Sequence, residues 1–70
     1  MIQFVVKSNS YSHCPMVFTR KKVDEHKVAE YIYEITGFWE KGIEAEGWCE
    51  LAAVGEVYED DSFTISVIDE

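Results

Sequence analysis

Residues 56–68, EVYEDDSFTISVI, read as a β-hairpin, and that reading decides the fold. Phe63, Ile65 and Val67 alternate with Thr64, Ser66 and Ile68, the period-two pattern of a strand with one buried face. Glu56-Val57-Tyr58 supplies the partner strand, and Glu59 to Ser62 supply the turn.

Upstream of the hairpin the period changes. Val28, Ile32, Ile35 and Trp39 fall at i, i+4, i+7 and i+11, one stripe of a helix. Asp24 is its expected N-cap, Glu25 suits the positive end of the dipole, and Gly37 ends it after Thr36. A second helix is expected over about 43–53, although Gly42 and Gly47 weaken it. Its apolar side is Ile43, Trp48, Leu51 and Ala52, which turns Glu44, Glu46 and Glu50 towards solvent.

The N-terminal segment returns to period two. Ile2, Phe4 and Val6 share one face of a strand over 2–7, and Ser8, Asn9 and Ser10 supply turn chemistry. Pro15 to Thr19 (PMVFT) is a short second strand pairing back on the first, with proline at its start, where a missing donor matters least. The expected order is β-β-α-α-β-β: an α+β fold with a small antiparallel or mixed sheet and helices packed on one face. No repeat, linker or low-complexity stretch divides the chain, so residues 1–70 are expected to form one compact acidic domain.

At 70 residues with ten aromatic side chains a core can form, but a marginal one, to which a dimer or a complex would add burial. No run approaches the roughly 20 apolar residues of a membrane span. The opening MIQFVVKSNSYSHCP lacks the charged start and long apolar centre of a signal peptide. The expectation is a cytoplasmic protein (in the host cell if a phage encodes it) that binds no membrane. Cys14 and Cys49 are then expected to be free thiols.

Charge is the most informative feature. Residues 1–41 carry six basic and five acidic side chains, whereas residues 42–70 carry nine acidic ones and no Lys or Arg. The nine are Glu44, Glu46, Glu50, Glu56, Glu59, Asp60, Asp61, Asp69 and Glu70. Positions two apart on a strand, or four apart on a helix, set carboxylates about 6 Å apart, comparable to the phosphate spacing of a nucleic acid. Two readings stand side by side. The run is a solvated face that keeps a small domain soluble, or it is a face that steers the protein onto a basic partner.

Other chemistries are weaker in this sequence. Glu59-Asp60-Asp61 offers oxygen ligands but lacks the alternating ligands and central glycine of a calcium loop. His13, Cys14, His26 and Cys49 contain no C-x2-C pair, and the adjacent His13 and Cys14 diverge on an extended chain, so no zinc site is expected. Cys49, between Trp48 and Leu51, reads as a small core residue rather than a nucleophile. No metal, cofactor or catalytic residue is predicted. The cluster Arg20, Lys21, Lys22 and Lys27 is too small for direct nucleic-acid binding on a chain of net charge −8.

Among the aromatics, Trp39 and Trp48 are expected in the core. Tyr31 and Tyr33 flank Ile32 and cannot both face inward, so one is exposed. Tyr33 and Tyr58 are the candidate contact anchors. In size, charge and compactness, though in no motif, the chain is similar to the small acidic proteins with which phages and mobile elements block host nucleases, some of which imitate nucleic acid. The expected function is a non-catalytic acidic inhibitor, nucleic-acid-mimic-like and with anti-CRISPR action as one form, that occupies a basic surface of a nucleic-acid-handling protein. The alternative is a self-associating structural or regulatory subunit, a homodimer or small oligomer, in which basic residues 20–27 of one copy meet the acidic hairpin of the next.

Overall fold

A computed structural model describes residues 1–9 and 14–70. Four strands and three helices follow one another as β1 (Ile2–Ser8), β2 (Met16–Thr19), α1 (Arg20–Asp24), α2 (Lys27–Thr36), α3 (Trp39–Leu51), β3 (Val57–Glu59) and β4 (Phe63–Asp69). The sheet is antiparallel throughout, in the order β2-β1-β4-β3.

Alternation places the core as expected. Phe4 and Val6 on β1 and Phe63, Ile65 and Val67 on β4 are buried, and their cross-strand registers (Phe4 opposite Val67, Val6 opposite Ile65) set them on one face. The helices cover that face: Val23 of α1, Val28 and Ile32 of α2, and Ala45 and Cys49 of α3 complete a single cluster. Cys49 is thus the core residue its surroundings suggested, while Ile35 and Trp48 pack partly buried against the cluster.

The C-terminal hairpin forms within one residue of its expected bounds. Ser8 departs from expectation: it is the buried last residue of β1, not part of a turn. Ser10 lies outside the described residues.

Helical packing departs further. The stripe expected to start at Asp24 is split into two helices. α1 begins directly after β2, with Thr19 as its N-cap, and buries Val23. It closes when the Glu25 and His26 amides turn back to the carbonyls of Lys22 and Val23. His26 then takes φ 62°, a left-handed conformation unusual for a residue with a Cβ, and serves as the N-cap of α2 in place of Asp24. Trp39 belongs to α3 and is 45% exposed, so it is not a core residue.

α3 begins at Trp39 rather than near 43 and ends at Leu51. Its buried face is Gly42, Ala45, Glu46 and Cys49. Ile43 is exposed, Leu51 is 89% exposed, and Glu46, expected in solvent, is 4% exposed. The reason is close helix packing. A Cβ at Gly42 would stand 2.5 Å from the carbonyl oxygen of Ala29, so α3 lies against α2 at a point where only glycine fits. That crossing turns the small residues inward and leaves the larger ones outside.

Arg20 fixes the far end of α3. Its guanidinium donates to the carbonyls of Glu50 (2.6 Å) and Ala52 (2.7 Å) and lies 5.2 Å over the Phe4 ring. It thereby satisfies carbonyls that the helix terminus leaves without partners.

Candidate partner-binding surface

Construction of the surface begins at the β3–β4 turn. The Asp60 N–H donates to the Phe63 carbonyl at 2.9 Å, and the Asp60 carboxylate accepts the Ser62 N–H at 3.0 Å, a side chain bonding backbone two residues on. Asn9, just past β1, clamps the same turn: its amide Nδ2 donates to the carbonyls of Asp60 and Asp61, and its backbone N–H to that of Ser62. The three adjacent acids Glu59, Asp60 and Asp61 are therefore presented from an anchored loop.

Next, α3 is tied to this turn. Lys41 Nζ donates to Asp60 Oδ2 at 3.0 Å. The Ser62 amide, and after it Lys41, hold the Asp60 carboxyl below the ordinary carboxylate range. One turn along α3, Glu44 lies near the Tyr58 hydroxyl. Burial first, then the nearby Glu44 and Asp60 carboxylates, push the Tyr58 phenol upward. Glu44 and Asp60 are both near Tyr58, and Glu59 and Asp61 flank Asp60 in the chain, so the four share one end of the molecule. Glu40, exposed in the first turn of α3, stands one turn from Glu44 on the same helix.

One exposed ring adjoins these acids through Lys41, and other exposed apolar side chains lie on the α2 side of α3. Phe38 is 62% exposed, and its ring lies 5.7 Å from Lys41 Nζ. Trp39 meets Tyr33 edge-on with ring centres 5.7 Å apart, and Tyr33 is 50% exposed. Ile43, one turn after Trp39, is exposed as well. Tyr33 is the exposed member of its pair. Tyr31 is half-buried, with its ring 5.8 Å from Phe18 and its hydroxyl on the Cys14 carbonyl.

The remaining expected site residues lie elsewhere. Glu46 is buried, its Oε1 2.6 Å from His26 Nδ1, and is a structural residue rather than part of any surface. Tyr58 is half-buried between Trp48 (5.3 Å) and Phe63 (5.8 Å, stacked), so it supports the surface from beneath instead of anchoring a partner. Glu50 is at the far end of α3, about 9 Å along the axis from Glu44. Glu56 Oε1 accepts the Ala53 N–H at 2.6 Å in the loop after α3. Asp69 pairs with the Met1 ammonium at 2.9 Å, and Glu70 follows it; both lie about 20 Å from the β3–β4 turn along β4. Of nine acids, four gather and five do not.

Phe38, Lys41 and Asn9 belong to this surface although their types and spacing singled none of them out. The one available signal was Phe38-Trp39 directly after the helix-stopping Gly37, two large rings where a turn allows little burial. Elsewhere, burial raises the Cys49 thiol to about 12, and Cys14 is exposed, both as free thiols. Among the described residues no group of three or more His, Cys, Asp or Glu side chains could hold a metal ion, and no helix is long and apolar enough to cross a membrane. His13, considered with Cys14 as a zinc ligand, lies outside the described residues. No family, curated protein or solved structure matches this chain.

Proposed function

We propose that this protein is a non-catalytic acidic binding domain that occupies a basic, nucleic-acid-binding surface of another protein and blocks it by competition. The observation that carries this reading is the grouping of Glu44, Glu59, Asp60 and Asp61 at one end of the molecule, with exposed Phe38 joined to them through Lys41. Lys41, the cation next to Asp60, is already engaged by it. Carboxylates concentrated on one corner focus the field and speed association with a positive groove. Alone they add little affinity, because exposed ion pairs contribute only about 0–1 kcal/mol each. The exposed Phe38 ring beside them supplies the apolar anchor that an interface needs. Inhibition of a nuclease, a CRISPR-type effector included, is the form this competition takes if the chain serves a phage or mobile element.

Charge reversal tests the reading. Glu59→Lys, Asp60→Lys and Asp61→Lys together should weaken capture of a basic protein partner at least tenfold. The pair Glu59→Lys and Asp61→Lys, which spares the bonds of Asp60, should retain most of that loss. Glu50→Lys with Glu70→Lys, at the opposite end, should leave affinity within about twofold. Equal losses from both ends would leave only a diffuse charge effect and remove the site.

A second reading is favoured by one observation: Lys21 and Lys22 are exposed on α1, without an ion pair among the described residues, beyond the opposite sheet edge from the acidic turn. Copies could then associate head to tail. Such an assembly would dissociate as salt screens it, which light scattering over a salt series would register.

A further inference from the structure

The outer edge of β3 is open, and its hydrogen-bonding groups can be assigned. Asp60 N–H donates to the Phe63 carbonyl and Val67 N–H to the Glu56 carbonyl, so residues 56 and 60 of this ladder face β4. Antiparallel pairing alternates. Tyr58 therefore also faces β4, while Val57 and Glu59 direct their N–H and C=O groups away from the sheet. Both residues are exposed, and those four backbone groups have no partner among the described residues. A row of unpaired backbone groups is a template for another strand.

We propose that this edge takes up an extended, lysine- or arginine-bearing segment of a partner protein as a fifth strand, an inference that rests on the proposed acidic docking function and names the partner's chemistry. Charge selects the occupant. Glu56, Glu59, Asp60 and Asp61 surround the three-residue strand, and Lys41 is engaged by Asp60. A second copy added antiparallel through the same edge, with Val57 opposite Glu59, would set Glu56 opposite Asp60 twice over and crowd eight carboxylates along one short ribbon. Like charges directly opposite are destabilising. A basic segment meets the reverse situation.

The register also specifies a pattern. Val57 and Glu59 project on the sheet face away from the helices, since Val57 is opposite Ser66 and Glu59 opposite Thr64. An incoming strand thus places an apolar residue against Val57 and, two positions away, a cation against Glu59. Backbone bonds give such a complex its affinity and alternate side chains its selectivity.

Amide hydrogen exchange with a blocked heptapeptide provides the test: threonine at odd positions and lysine, valine, lysine at positions 2, 4 and 6. At saturating peptide the Val57 and Glu59 amides should exchange at least tenfold more slowly. A twin of identical charge, N-methylated along the edge that would meet β3, should give no such slowing. Equal binding of both peptides, or shifts confined to Trp39, Glu44 and their neighbours on α3, would overturn strand addition while leaving side-chain docking to a basic partner intact. Absence of binding by either peptide overturns it too. Protection of Val57 and Glu59 without any nucleic-acid competition by the whole protein would keep strand addition and remove the proposed target class.

Discussion

Lys41 Nζ stands 3.0 Å from Asp60 Oδ2, and this contact joins the first half of α3 to the tip of the C-terminal hairpin. The two elements that present the gathered acids are held together by Lys41. Asp60 is accordingly both a surface acid and a structural one.

Its titration should be visible in stability. The folded-state carboxyl is held below its ordinary value near 3.8, so its contribution is present above that pH and is lost as pH falls through the lower folded value. Asp60→Asn should cost about 1 kcal/mol at pH 7 and much less at pH 2, measured by urea unfolding at both. An equal cost at both pH values would show that the carboxylate charge contributes nothing.

Gly42 and Gly47 sit five residues apart in α3 and should respond oppositely to alanine. Gly42→Ala drives a methyl group against the Ala29 backbone and should cost about 2 kcal/mol or more. Gly47 has open space around it, so Gly47→Ala should stabilise by about 0.5–1 kcal/mol through helix propensity. Thermal unfolding of the two variants decides; matching shifts would place the α2–α3 contact wrongly.

The two thiols should react very differently. With its pKa raised to about 12, Cys49 has roughly one thiol in 10⁴ ionised at pH 8, and burial blocks access as well. Exposed Cys14 should be modified by an aromatic disulfide reagent within minutes, leaving Cys49 untouched until denaturant is added. Two fast equivalents in native buffer would contradict the packing of α3.

His26 combines strain with a bond to a buried acid. His26→Ala removes the contact to Glu46 while keeping a Cβ at φ 62°, and should cost about 2–3 kcal/mol. His26→Gly loses the same contact but relieves the backbone, and should cost about 1 kcal/mol less. If glycine and alanine are equally destabilising in denaturant unfolding, the left-handed conformation is not what limits the site.

The sheet was legible because its signals are local. Alternation alone placed Phe4, Val6, Phe63, Ile65 and Val67 inside, and the cluster of acids marked the turn. The helices were less so, because tertiary contacts override their patterns. Gly42 reads as a weak helix position until Ala29 is seen against it, and the missing Cβ is then the condition for close packing. Glu46 reads as solvent-facing because nothing in its neighbourhood reveals that His26, 20 residues earlier, reaches it. The surface was half legible: composition showed that acids abound after Lys41, but only the path of β4 shows that Asp69 and Glu70 lie at the other end from Asp60 and Asp61.

Competition with nucleic acid decides whether the acidic end occupies a nucleic-acid-binding groove. The protein, immobilised, would be exposed to lysate at about 50 mM salt, where screening is weak, and eluted with a short single-stranded oligonucleotide. Occupation of such a groove requires that the oligonucleotide release a nucleic-acid-binding protein, with little recovery of it on the Glu59→Lys, Asp60→Lys and Asp61→Lys bait. Capture of nothing beyond the bait, or of a protein the oligonucleotide cannot displace, would contradict it.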